Sequence, residues 1–135
     1  MKQINLIVFG EPASKANSRR LIPYRGRHIS IKSEKALCYV RDFLRQVKWP
    51  KTPITEDITM TCHIFYGSRR PDLAEELIMD CLQKAGIIKN DRQIKSKHIH
   101  WHLDRENPRA VIRLIAWEEI LPDWCCMAPV AGGVG

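Results

Sequence analysis

Between Ser68 and Ile94 the chain reads SRRPDLAEELIMDCLQKAGIIKNDRQI. A basic pair, Arg69-Arg70, abuts Asp72. Glu75, Glu76 and Asp80 follow on a helical pattern, and Asp91-Arg92 stands in the turn beyond. Acid set among base is the chemistry of phosphodiester hydrolysis: carboxylates hold a hard divalent cation and the cations hold phosphate. Each group also has a plainer use. Asp72 with Glu75 three residues on spells a capping box. Flanked by Arg69 and Arg70 it stays ionised, as either job requires. Glu76 and Asp80 lie one turn apart beside the apolar stripe. They continue a line of carboxylate from Asp72 or form a solvated face. Asp91 is a turn residue unless the chain after the helix returns beside the strand before it.

Two other groups could carry chemistry. His98, His100 and His102 alternate, so a strand would place them on one face, as a transition-metal row or as a polar, phosphate-facing one. Arg105, Asn107 and Arg109 in DRENPR either fix a turn or contact phosphate. The five cysteines are odd in number and form no C-x-x-C pair. That pattern points to reduced thiols, three of them small core residues, and away from a cysteine zinc site.

The elements that must position these groups follow from the periodicity. Residues 3–9, QINLIVF, read as a buried strand. Residues 10–28 read as a long basic loop, with a partial hairpin toward HISI. Ser33 caps a helix whose stripe is Ala36, Leu37, Val40, Phe43, Leu44 and Val47. Residues 57–66 alternate as a strand with one buried face. Pro71 and Asp72 open a second helix, which buries Leu73, Leu77, Ile78, Cys81, Leu82 and Ala85 and stops at Gly86. Ala74 falls on its apolar side. Residues 94–103 and 110–117 form two more strands, the first with Ile99, Trp101 and Leu103 on one face. The fold class expected is α+β (α/β mixed), a small mixed sheet with two main helices, whose edge strands could pair in a dimer. One domain spans residues 1–118, and residues 119–135 form a flexible tail.

Composition narrows the class. The 135 residues are 44% apolar and 27% charged, the range of an ordinary globular domain. No window is apolar enough for a membrane span, and the start is too polar for a signal peptide, so a soluble cytoplasmic protein is expected. The net charge is +7. Residues 1–50 hold 11 Lys/Arg against 3 Asp/Glu, and residues 51–135 hold 11 against 12, so the whole excess lies in the first part. A basic half beside a balanced half fits a polyanionic partner.

Several stretches together resemble the RusA family of Holliday junction resolvases, the crossover junction endodeoxyribonucleases often carried by phages and prophages. GEPASKANSRR (10–20) is similar to the family's N-terminal element, SRRPDL (68–73) and NDRQI (90–94) to its acidic core, and KHIHWHLDRENPR (97–109) to the closing segment of one branch. The likeness spans residues 6–113. It implies a homodimer acting on four-way or otherwise branched DNA, with Mg²⁺-dependent (or Mn²⁺-dependent) hydrolysis making paired symmetric nicks. It implies no membrane and no small-molecule cofactor. Carried over residue by residue, the metal carboxylates are Asp72 and Asp91, and Asp80 matches a frequent helix Asp; Glu76, one turn from Asp80, is added as a helper from its spacing alone. Lys84 or Arg92 would stabilise the phosphorane. Lys15, Asn17, Arg19, Arg20, Arg69, Arg70, Arg92, Lys97, Arg105 and Arg109 would hold DNA.

The family's acidic core has a second Asp two residues after the first. Here that position is Ala74. Three readings are open: a change made to trap an uncleaved state, a natural junction binder that no longer cuts, or replacement by Glu75 or Glu76. An apolar methyl offers a metal nothing, so weakened metal binding and a large loss of rate are expected with DNA binding intact. Two other functions compete with an active resolvase. One is a catalytically dead binder of structured DNA. The other is a basic adaptor domain that binds protein, which salt would leave unaffected.

Overall fold

The computed structural model describes residues 3–13, 19–48, 52–69 and 73–126. The fold is α+β, as expected. Strands β1 (Ile4–Phe9), β4 (Ile58–Tyr66), β5 (Ile94–Leu103) and β6 (Arg109–Ala116) form one mixed sheet in the order β1-β6-β4-β5. Strands β2 (Arg19–Tyr24) and β3 (Arg27–Lys32) form a separate hairpin, and helices α1 (Glu34–Gln46) and α2 (Glu75–Lys84) complete the fold.

Strict alternation on β4 builds the core. Ile58, Met60, Cys62, Ile64 and Tyr66 are fully buried on one face, beside Ala110, Ile112 and Leu114 of β6 and Val8 of β1. The helices close over that face with Ala36, Val40 and Phe43 from α1 and Leu77, Ile78, Cys81 and Leu82 from α2. Burial pushes the thiols of Cys62 and Cys81 up to about 12, so both are inert packing groups. Ser33 caps α1 as expected, its hydroxyl accepting from the Ala36 N–H at 3.2 Å.

The structure corrects five details. β1 is not a buried strand: it is an edge, and Ile7 and Phe9 are each 57% exposed. Its end is tied down by Gln46, whose side-chain amide bonds the Phe9 N–H and C=O, each at 2.8 Å. The basic loop is a full hairpin from Arg19 to Lys32, turned by Arg25 and Gly26, both in the left-handed region. Leu37 lies outside the buried stripe of α1 and Tyr39 takes its place, because Ala36, Tyr39, Val40, Phe43 and Val47 follow the three-to-four spacing of one helix face. Cys38 is exposed, leaving two core thiols instead of three. Finally, α2 does not open at Pro71 and Asp72: it begins at Glu75, with Ala74 as its N-cap. Asp72 itself lies outside the described residues, as do Lys15, Asn17 and Arg70.

The path from α2 to β5 decides the position of Asp91. Gly86, at φ +78°, stops the helix in a conformation that L side chains disfavour. The chain then enters β5, which runs parallel to β4 and directly beside it. The return that makes Asp91 interesting is therefore present. Beyond β6, a 3-10 turn over Asp123–Cys126 stands exposed. No helix among the described residues is long and apolar enough to cross a membrane.

Candidate functional site: an acid-floored, base-rimmed groove

α2 presents its core face to the sheet, so Glu76 and Asp80, one turn apart, fall on the opposite side. There they line a groove of about 420 Å³ with Met79, Gln83, Asp91, Lys97, Arg19 and Lys32. Three carboxylates from α2 and the following turn thus face three cations from the hairpin and β5. Glu76 and Asp80 were expected from their helical spacing, Asp91 from the turn, and Arg19 and Lys97 among the cations named with the resemblance; the fold brings all five to one groove.

Each side chain has an identifiable support. Asp91 opens a 3-10 turn, Asp91–Gln93, whose N-cap is Asn90, with Asn90 Oδ1 accepting from the Arg92 N–H at 2.9 Å. Gln93 fixes this turn from below. Its Oε1 accepts from the N–H groups of Lys89 and Asn90, both at 2.8 Å. Its Nε2 donates to the carbonyls of Ile54 and Glu56 at 2.6 and 2.9 Å. A buried amide with both ends satisfied locks the turn against the segment leading into β4. Sequence reasoning missed Gln93 as a positioning residue. The signal was the N-x-x-Q spacing inside NDRQ, a capping box in its own right.

Asp80 is held between two ammonium groups. Lys32 Nζ lies 2.6 Å from its Oδ2, and Lys84 Nζ lies 3.8 Å away, one helical turn on. Lys97 reaches across from β5 to 4.0 Å from Glu75 Oε1. Arg19 is anchored across the hairpin, donating to Ser30 Oγ at 2.9 Å and to the Ser30 carbonyl at 2.7 Å. Between Arg19 and Lys32 the sequence has five Lys/Arg and no Asp/Glu. The charged side chains of the hairpin are thus all cationic, and Lys32 was absent from the residues that the sequence singled out.

Ala74 sits at the head of α2, 2% exposed, with φ −98° and ψ 40° and no side-chain cap. Its N–H donates to the Tyr66 hydroxyl at 3.0 Å, tying the end of β4 to the start of the helix. A carboxylate here would meet the unpaired N–H groups of the first helical turn, a setting that favours negative charge.

Not every candidate converges on the groove. Arg20, Arg69, Arg92 and Arg105 are exposed and do not line it. Arg109 belongs to the opposite face of the sheet, where it stacks 3.9 Å above the Phe65 ring and bonds Asp104 at 2.7 Å. That bond, with backbone donors, holds the Asp104 carboxyl below its usual range.

The histidines share that opposite face, joined by His63 of β4. His63 stacks on His100 and on His102, with its Nδ1 2.8 Å from His102 Nε2, and His102 stacks on Phe65. The expectation of one polar row holds. Among the described residues, however, no three His, Cys, Asp or Glu side chains are grouped to hold a metal ion, so a transition-metal row is not realised. Burial, then His100, His102 and Arg113, push the His63 imidazole below its ordinary 6.5. The unfolded chain therefore takes up this proton first. The stability that neutral His63 contributes is complete above 6.5 and is lost as the pH falls through its lower folded value. Thermal melts between about pH 7 and pH 5 are expected to show a falling Tm, and His63→Phe should flatten the slope. An unchanged slope in that variant would show the stacked cluster is not responsible.

No family model matches the chain, and no curated protein matches it significantly. The site is accordingly judged on its own chemistry. Mg²⁺ takes hard oxygen donors, often one or two carboxylates completed by water and phosphate. Glu76, Asp80 and Asp91 supply that donor type along one groove, with cations beside them to hold a phosphate. In donor chemistry the groove fits Mg²⁺, although its described residues do not close a three-ligand cage.

Proposed function

We propose that this chain is a RusA-like, structure-specific DNA-binding protein. Its groove takes the phosphate backbone of a four-way or branched junction, and its activity is Mg²⁺-dependent strand cleavage, reduced by Ala74. One observation carries the reading: Glu76, Asp80 and Asp91 line the same groove as Arg19, Lys32 and Lys97. Carboxylates alone would suit a cation, and cations alone would suit any polyanion. Their interleaving suits a phosphodiester undergoing hydrolysis.

Asp80 and Asp91, with Asp72 and Glu76, would hold the metal, which when bound lowers the pKa of an attacking water and stabilises the leaving 3′ oxygen. Arg19 and Lys97 grip the phosphate on either side of the carboxylates. Lys97 lines the groove, whereas Lys84 and Arg92 do not, so Lys97 is the cation assigned to the phosphorane charge. Arg20, Arg69 and Arg92 extend the cationic surface along the backbone, a sequence-independent mode of binding.

A second reading, a junction binder that does not cut, is favoured by Ala74 and by the ammonium groups already on Asp80. The two readings share the DNA-binding surface and differ in rate. A homodimer belongs to the same proposal. The sheet face turned away from the helices exposes Ile7 and Phe9 on the edge strand β1, two apolar groups that a second copy would cover. Titrating a labelled four-way junction over a salt series tests the assignment. With four or five phosphate contacts, affinity should fall roughly 150- to 500-fold between 50 and 200 mM salt. The stoichiometry should be two chains per junction. Binding indifferent to salt would favour the protein-adaptor alternative.

A further inference from the structure

Lys32 closes β3 in the lining of the groove, and its ammonium occupies a carboxylate oxygen that a metal would need. The 2.6 Å contact to Asp80 Oδ2 is reinforced by Lys84 at 3.8 Å, and that oxygen is shielded from solvent. That oxygen is ion-paired and shielded from solvent, so a divalent cation reaching it would have to displace Lys32. Lys32 is also mechanically linked to another groove cation. It pairs in register with Arg19, whose guanidinium is fastened to Ser30 one strand over. The hairpin joins no strand of the larger sheet, so Lys32 and Arg19 can shift together without breaking that sheet's ladder.

We propose that Lys32 is an internal counter-ion for Asp80. It holds the metal-facing oxygen until a divalent cation displaces it, and the released ammonium then joins Arg19 on the phosphate. Without metal the pair keeps the carboxylates from repelling DNA. With metal the same charge turns toward the strand. The inference rests on the reading of the groove as a Mg²⁺-dependent phosphodiester site, and it makes Lys32 a positioning residue whose effect appears before any chemistry.

The test is Mn²⁺ binding to the full chain without DNA, followed by the electron paramagnetic resonance of free Mn²⁺, in the wild type, Lys32→Met, Lys32→Arg and Asp80→Asn. Methionine keeps the packing of the stem and removes the charge. Lys32→Met should bind Mn²⁺ roughly tenfold tighter, because a cation no longer competes for the oxygen. Lys32→Arg should stay near the wild type, and adding Asp80→Asn to Lys32→Met should abolish the gain. The same variant should bind a four-way junction a fewfold more weakly, its log–log salt slope reduced by about one. Equal or weaker Mn²⁺ binding by Lys32→Met, in a chain that still binds the junction, would overturn the counter-ion role alone. Loss of both Mn²⁺ and junction binding in the wild type would overturn the reading of the groove and this inference with it.

Discussion

Replacing Ala74 with Asp is expected to raise Mg²⁺-dependent cleavage of a synthetic four-way junction by roughly 10²–10³-fold, the several kcal/mol that a metal-bound carboxylate commands. Position 74 heads α2, where the backbone turns out of the Tyr66 contact and into the first helical turn. Its Cβ is buried, so an Asp carboxylate there must be satisfied locally. The N–H groups of Glu76 and Leu77 are in place to do so, as for any Asp at an N-cap. The same substitution should therefore stabilise the fold by about 0.5–2 kcal/mol in urea. Those two readouts separate the roles. Higher stability without cleavage would make position 74 a cap and nothing more. Cleavage that is already fast with Ala74 would mean that Glu75, Glu76 and the aspartates suffice.

Reversing two groove cations should have the other large effect. Arg19→Glu with Lys97→Glu is expected to weaken junction binding about a hundredfold at physiological salt and to flatten the salt dependence. Both residues line the groove, one from the hairpin wall and one from the first turns of β5, so each reversal replaces an attraction to phosphate with a repulsion. Neither belongs to the core. Lys97 does pair with Glu75 at 4.0 Å, so Lys97→Met serves as a milder companion that tests for local unfolding. Arg105→Glu, at a turn away from the groove, is the surface control and should change affinity severalfold at most. Equal losses from the control and the double reversal would place the DNA elsewhere.

The fold was legible where periodicity was strong and decided by one buried face. The alternation of Ile58, Met60, Cys62, Ile64 and Tyr66 and the stripe of Leu77, Ile78, Cys81 and Leu82 leave little choice of element or orientation. Boundaries were less legible. Asp72 carries every local signal of an N-cap, yet the helix starts at Glu75 with Ala74 as N-cap, its N–H bonded to the Tyr66 hydroxyl at the end of β4. That is a tertiary bond between residues eight apart, and no local pattern encodes it. The hairpin was hidden because its strands expose both faces and so lack a buried period.

The site was half legible for a related reason. Carboxylates at helical spacing announce a common face, but the sequence does not say which cations stand opposite. Lys32 lies 48 positions before Asp80 and meets it only because the hairpin folds over α2. Gln93 looked like filler in NDRQ, and its role appears only once the carbonyls of Ile54 and Glu56 arrive above its amide. Arg109 went the other way. Of its two expected uses, fixing the turn or contacting phosphate, the structure shows the first: it bonds Asp104 and the Asn107 carbonyl and stacks on Phe65 on the far face.

The central claim is that the groove is shaped for branched DNA, and competition binding tests it most directly. A labelled four-way junction would be held by the chain without metal at fixed salt, then challenged with unlabelled junction or with linear duplex of the same length and composition. The account predicts that the junction competes at least about tenfold better per molecule than the duplex, since charge alone supplies only the non-specific part of the affinity. Equal competition by duplex and junction would contradict it, leaving a basic domain that binds nucleic acid without recognising its shape.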